Sequence, residues 1–157
     1  MSLVLARIDC RLVHGQVVET WIQHVKANSL IVANDAVVDN PMMRSVMELA
    51  VPVEVKVRFC RLDQAIEMIK EADLVGERSI LLISNASDAI KIRKSGARFT
   101  NLNIGNLYFE EGKVQITPSV FFAPEDFEAL QWFRSNGVSV CVKGTPFESG
   151  VLFEAEG

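Results

Sequence analysis

Short apolar runs alternate along the chain with longer amphipathic stretches, the pattern of repeated strand–helix–strand units. Leu3 to Ile8 is apolar nearly throughout and reads as a strand covered on both faces. Gly15 to Lys26 follows with Val17, Val18, Trp21, Ile22 and Val25 at helical spacing on one side. Ser29 to Ala33 is a second strand. Asn40 then supplies an N-cap and Pro41 a favoured first helical residue, and Met43, Val46, Met47 and Ala50 make the expected buried face of that helix. Val53 to Phe59 alternates with Glu54, Lys56 and Arg58, which predicts a third strand with one face wet or near an edge.

The second half continues the alternation. Leu62 to Ala72 reads as a helix through Ala65, Ile66 and Ile69, and Ser79 to Ile83 as a central strand. Ser87 can cap a helix that runs to Gly96, a C′ glycine. Leu102 to Ile104 is a short strand ending at Gly105. Tyr108-Phe109 and Val114 to Ile116 flank residues 110–113 as a small hairpin. Pro124 opens a helix carrying Phe127, Leu130 and Phe133, closed by Gly137, and Val138 to Val142 is the last clear strand. The expected fold is a doubly wound α/β domain. Its predominantly parallel sheet has about six or seven strands, with helices on both faces and a small hairpin near the C-terminal third. Ligands in such folds bind at the carboxyl ends of strands, which singles out the turns after Ile8, Ala33, Ile83 and Ile104.

Composition narrows the function classes. The 157 residues suit one domain over 1–157, and 49% apolar with 23% charged residues suits a compact globule. A net charge of −4 argues against a nucleic-acid partner, which needs a basic surface. Cys10, Cys60 and Cys141 are odd in number and widely spaced, so neither a disulfide framework nor a metal site is expected, and a reducing cytoplasmic setting fits. Leu3 to Ala6 is too short for a signal peptide, and nothing approaches the roughly 18 apolar residues of a membrane span.

The turn after the first strand is the chemically richest stretch, with Arg7, Asp9, Arg11 and His14 followed by Gly15 at a helix start. Imidazole is a nitrogen nucleophile substantially deprotonated near neutral pH, with an ordinary pKa of about 6.5. It can take a phosphoryl group without a separate base. That group brings roughly −1.5 to −2 charges, and Arg11 is the nearest planar, charged fork to meet them. Gly15 lets backbone come close, and N–H groups at a helix start favour anions. Asp9 could orient either Arg11 or the imidazole. Against this stands the bland reading that a lone loop histidine is simply solvated. Cys10 with His14 lacks further ligands for a metal, and His24, beside Val25 in mid-helix, reads as structural or exposed.

Residues 7 to 17, Arg-Ile-Asp-Cys-Arg-Leu-Val-His-Gly-Gln-Val, followed by Trp21, closely resemble the phosphohistidine motif of the IIB components of the mannose/fructose/sorbose class of the phosphoenolpyruvate-dependent phosphotransferase system. Ile31 to Asp35 with Asp39, the turn Asn103-Ile104-Gly105-Asn106, Gly112-Lys113, Ile116 and the helix around Glu125-Asp126 extend the likeness over essentially the whole chain. The resemblance implies that His14 is phosphorylated on Nδ1, that Arg11 binds the phosphoryl group, and that no cofactor is used. It implies a IIA phosphohistidine domain as donor and a sugar bound by IIC and IID membrane subunits as acceptor. It places the protein in the cytoplasm, recruited to the inner membrane face, and allows a homodimer. Asp9, Gly15, Gln16, Asn34, Asp35 and Ser84 are the further binding candidates, although Asn34, Asp35 and Ser84 read equally as turn and cap residues.

Two positions depart from the family pattern. Cys10 stands where an acidic residue is common and Asn106 where a glycine is common. Loss of the carboxylate makes the loop less negative and removes an orienting acceptor. The alternatives to sugar transport are a regulatory phosphorelay with the same His14 chemistry, and a binding module that kept the fold and lost transfer.

Overall fold

A computed structural model of the protein describes residues 2–70 and 76–157. Strands β1 (Ser2–Asp9), β2 (Ser29–Ala33), β3 (Lys56–Cys60), β4 (Arg78–Ile83), β5 (Asn101–Asn106), β8 (Ser139–Val142) and β9 (Val151–Phe153) form one sheet in the order β3-β2-β4-β1-β5-β8-β9. All neighbours pair in parallel except β8 with β9. β6 (Val114–Thr117) and β7 (Val120–Phe122) make a separate antiparallel hairpin. No helix among the described residues is long and apolar enough to cross a membrane.

The helices divide between the faces as right-handed crossovers require. Connections running from β1 towards β3 carry α1 (Gly15–Val25), α2 (Asp35–Val38) and α3 (Pro41–Leu49). Their Val18, Trp21, Ile22, Val37 and Met47 pack on Leu30, Val32, Ile80 and Leu82. Connections running the other way carry α4 (Leu62–Lys70), α5 (Ala86–Lys94) and α6 (Pro124–Ser135) on the opposite face. There Ala65, Ile69, Ala89, Ile92 and Phe133 meet Ile31, Leu81, Ile83 and Val140. β4 contributes alternate residues to both cores, which explains its unbroken apolar run. The winding changes direction beside β1, between β4 and β5, so the carboxyl end of β1 opens into a crevice.

Several expected elements differ in detail. The third strand begins at Lys56 because Pro52 starts a turn closed by the Val55 N–H on the Pro52 carbonyl, leaving Val53 exposed. β3 is nonetheless an edge strand, one of the two placements its alternation allows. Of the expected buried face of α3, Met47 is buried, but Met43 and Val46 are exposed, because the helix packs with α2 at the sheet margin. The cap of α5 is Asn85, whose side chain accepts from Asp88 N–H, and Ser87 lies within the helix. The hairpin pairs Val114–Thr117 with Val120–Phe122. Tyr108 and Phe109 lie outside it, since Leu107 bonds across to the segment of Ser119 and Phe121. Phe122 of the hairpin is fully buried, whereas Phe109 outside it is exposed. β9 was not anticipated. Positions 71 and 72, the expected end of the fourth helix, lie outside the described residues.

At the sheet end remote from His14, Arg58 at the edge donates to both oxygens of Glu77, at 2.5 and 2.7 Å. These bonds, with the Ser29 hydroxyl and the Arg58 and Lys56 charges, hold the Glu77 carboxyl at about 2 against the opposing effect of burial. An unfolded glutamate titrates near 4.3. The pair's stabilisation is therefore complete above that pH and lost as pH falls through about 2. Glu77→Gln is expected to cost about 1–2 kcal/mol at neutral pH and to flatten the acid limb of a Tm-versus-pH curve.

Candidate functional site

The carboxyl end of β1 delivers Arg7, Asp9, Arg11 and His14 to the crevice. The chain turns sharply after Asp9, with Leu12 N–H on the Asp9 carbonyl at 2.9 Å and Leu12 in the left-handed region at φ 61°. A leucine in that conformation is strained by roughly 1–2 kcal/mol, offset by burial of its side chain with Val13 against the α1 face. The turn folds Arg11 back over Asp9. His14 then occupies the N-cap of α1 in extended backbone and makes no side-chain cap.

Asp9 is fully buried and serves two arginines. Its Oδ1 accepts from Arg11 N–H at 2.9 Å and Arg11 Nε at 3.0 Å. Its Oδ2 accepts from Arg11 Nη2 and Arg7 Nη2, both at 3.0 Å. The Nε/Nη2 edge of the Arg11 guanidinium is thereby fixed, and Nη1 is directed at His14 Nδ1, 3.2 Å away. Arginine can only donate, so Nδ1 is the acceptor in this contact. Asp9 bonds Arg11 and, among the described residues, makes no hydrogen bond to the imidazole itself. Arg11 is about one-third exposed and His14 exposed, so both reach solvent.

Arg7 is buried beneath this pair. Burial pushes its pKa below the ordinary value, and the Asp9 charge and hydrogen bond oppose that. Its Nη1 donates to Asn103 Oδ1, and its guanidinium lies 5.4 Å from the Trp21 ring. Gly105 of β5 leaves the space it needs, since a Cβ there would fall on the guanidinium itself. Gly105→Ala is expected to lower stability by about 1–3 kcal/mol, read as a drop in Tm and in denaturant midpoint. Sequence reasoning missed Arg7 and Asn103 as site residues. The available signal was a polar residue inside a strand otherwise read as buried.

The two positions that depart from the family pattern touch each other. Cys10 Sγ lies 3.0 Å from Asn106 Oδ1, and Cys10 N–H donates to the Asn106 carbonyl at 3.0 Å. Burial raises the thiol pKa, which keeps it the protonated donor in this bond. Asn34 and Ser84 also meet, with Asn34 Nδ2 donating to Ser84 Oγ at 3.0 Å while Asn34 Oδ1 caps α2. Asp35 accepts from Leu62 N–H at 2.8 Å. Among the described residues, none of these three hydrogen-bonds to residues 9–16. They line the neighbouring strand ends. Gly15 and Gln16 form the first turn of α1, where Val17 and Val18 N–H both bond the His14 carbonyl, so the N–H groups of Gly15 and Gln16 have no intrahelical partner. His24 is exposed and meets Trp21 and Phe147 edge-on.

Fold and site together define a doubly wound α/β domain that presents an exposed histidine and an oriented arginine at a helix start. Residues 3–154 match the family of sorbose-subfamily IIB components of the phosphotransferase system, and the chain belongs to that family. It is 34% identical over 151 residues to the N-acetylgalactosamine-specific phosphotransferase enzyme IIB component 2 of Escherichia coli K12, covering 96% of this chain and 95% of that one. It is 29% identical to the mannose-specific EIIAB component of the same strain, over 91% of this chain and 44% of that longer protein. The crystal structure of the IIBSor domain of the sorbose permease from Klebsiella pneumoniae superposes with a TM-score of 0.90 at 30% identity, covering 96% of this chain and 93% of that one. The protein is thus a IIB component of the sugar phosphotransferase system, a class whose work is phosphoryl transfer in sugar uptake.

Proposed function

We propose that the protein is a phosphohistidine carrier, a protein-N(pi)-phosphohistidine–sugar phosphotransferase. In this reading His14 takes a phosphoryl group from a IIA phosphohistidine and passes it to a sugar held by IIC and IID membrane subunits. The observation that carries this is the Arg11 Nη1 contact at 3.2 Å, which places His14 Nδ1 against the charge that must meet the phosphate. The mannose relative, named as an EIIAB component, supports a IIA partner. A carrier of this kind works in the cytoplasm against the inner membrane face.

The step follows from the geometry. The Nδ1 lone pair attacks phosphorus in line, and the new N–P bond forms as the donor's N–P bond breaks. The donor imidazole leaves with the electron pair and takes up one proton, while phospho-His14 gives one up from Nε2. Arg11 Nη1 passes from Nδ1 to a phosphoryl oxygen, and the N–H groups of Gly15 and Gln16 with the helix start bind the others. Asp9 keeps Arg11 from following the phosphate away. Asn34, Asp35 and Ser84 form the rim against which a partner's phosphate loop seats.

The test is mass spectrometry after incubation with a phosphorylated IIA domain, under conditions that preserve acid-labile phosphohistidine. One phosphoryl group on the His14 peptide is expected, and its absence, or label elsewhere, overturns the reading. Label on His14 that never reaches a sugar when the membrane subunits are supplied would overturn sugar transport and leave a regulatory carrier. Arg11→Lys keeps the charge but loses the edge that grips Asp9 while Nη1 reaches His14, so partial transfer is expected. Arg11→Ala should slow transfer about tenfold or more, since each charged hydrogen bond to phosphate is worth roughly 1.5–3 kcal/mol. Equal rapid-quench rates in both variants and the parent would remove Arg11 from the step.

A further inference from the structure

We infer that Asn103 is a positioning residue for phosphoryl transfer at His14, acting through Arg7, Asp9 and Arg11; this rests on the carrier reading above. Asn103 sits in β5 and is almost fully buried. Its amide can adopt only one orientation. Nδ2 donates to the carbonyls of Cys141 at 3.1 Å and Lys143 at 3.0 Å. Both are acceptors only, so the amide nitrogen must face them and Oδ1 must face Arg7.

That orientation fixes the plane of the Arg7 guanidinium. Nη1 is held by Asn103 and Nη2 by Asp9 Oδ2, with Trp21 on one face and Gly105 leaving room beside it. Trp21 is itself anchored, since its Nε1 donates to the Gly144 carbonyl at 2.9 Å. Glu148 holds the same loop through the N–H groups of Gly144 and Thr145. Arg7 therefore gives Asp9 Oδ2 a single bond and leaves the rest of the carboxylate to Arg11.

Without Asn103, Nη1 keeps only the Lys143 carbonyl at 3.5 Å. A buried guanidinium cannot leave that donor unpaired, and the carboxylate it already bonds is Asp9, whereas Glu148, whose charge also acts on Arg7, is engaged by the N–H groups of Gly144 and Thr145. A second bond from Arg7 to Asp9 displaces Arg11, and Nη1 of Arg11 then no longer faces His14. Loss of Asn103 thus acts on an imidazole several bonds away without touching it.

The experiment compares the wild-type chain with Asn103→Ala, Asn103→Ser and Glu77→Gln. Each is assayed for phosphoryl uptake from phosphoramidate, whose P–N bond breaks to release ammonia as the His14 bond forms. The pH titration of the His14 ring is followed by NMR in the same unphosphorylated proteins. Asn103→Ala is expected to take up phosphoryl at least tenfold more slowly and to alter the His14 ring resonances and their titration, as Arg11 Nη1 leaves Nδ1. Asn103→Ser, whose hydroxyl can donate to Lys143 and accept from Arg7, should recover part of both. Glu77→Gln, destabilised at the other end of the sheet, should change neither. A folded Asn103→Ala with the wild-type rate and titration, or matching changes in Glu77→Gln, would overturn the inference. A wild-type chain that takes no label on His14 while its titration still moves in Asn103→Ala would keep the coupling and reject the carrier reading. Should Asn103→Ala not fold, Asn103→Ser decides by the same two readouts.

Discussion

Asp9→Ala is expected to be the most destabilising single change at the site, costing about 3–5 kcal/mol. Asp9 is fully buried, and two guanidinium groups share it. Truncation leaves the buried Arg7 charge without the carboxylate it bonds, and removing one partner of a buried pair costs far more than the pair itself contributes. Leu12 would suffer too, because its strained turn is held in part by Asp9 Oδ1 on the Arg11 N–H. Asp9→Asn separates charge from shape. The amide keeps one acceptor for Arg11 but turns an N–H towards the Nη2 groups of Arg7 and Arg11, donor against donor. Its expected cost is a smaller fall in stability with loss of Arg11 orientation. Denaturant melts give the first effect, and rates of phosphoryl uptake in the folded variants give the second. Wild-type stability in Asp9→Ala would mean that Arg7 finds another partner.

The contrast between Arg7 and Arg11 shows where sequence reading of this site stops. Arg11 lies in a loop, beside an aspartate and a histidine, where charge invites a chemical role. Arg7 lies inside a run that reads as apolar strand, and its importance depends on Asn103 and Gly105, which approach through the parallel pairing of β1 with β5. That pairing joins residues almost a hundred positions apart, which local pattern cannot supply. The same distinction governs the fold. β2 is covered on both faces, its apolar run has no interruption, and its bounds follow from the pattern. β9 is three residues at an edge, with Val151 and Leu152 exposed, and its strand character comes from β8 beside it. For the hairpin, the aromatic pair Tyr108-Phe109 has strand propensity, but the partner of Val114–Thr117 is decided by the tight turn at Pro118 and Ser119. The exposed Met42, Val46 and Leu49 of α3 carry a helical period that burial does not use.

His14→Ala is expected to abolish acid-labile labelling while leaving stability within about 0.5 kcal/mol of the parent. The second half of that expectation comes from the cap. His14 holds the N-cap of α1 in extended backbone, yet its side chain makes no bond to the helix. Alanine therefore removes no capping interaction, and the Arg11 Nη1 it releases faces solvent. His14→Ser goes further. Serine at an N-cap accepts from the helix N–H groups and contributes about 0.5–1 kcal/mol, so this variant should melt higher than the parent and carry no label. A site that gains stability when its histidine is lost has kept that histidine for chemistry. His24 is the internal control, being the chain's other imidazole and exposed on the same helix, with aromatic neighbours in place of an oriented guanidinium. Label that persists in His14→Ala and maps to His24 would show that exposure alone suffices for phosphorylation. Label that vanishes while His24 remains available ties the reaction to the Arg11 contact and the open helix start.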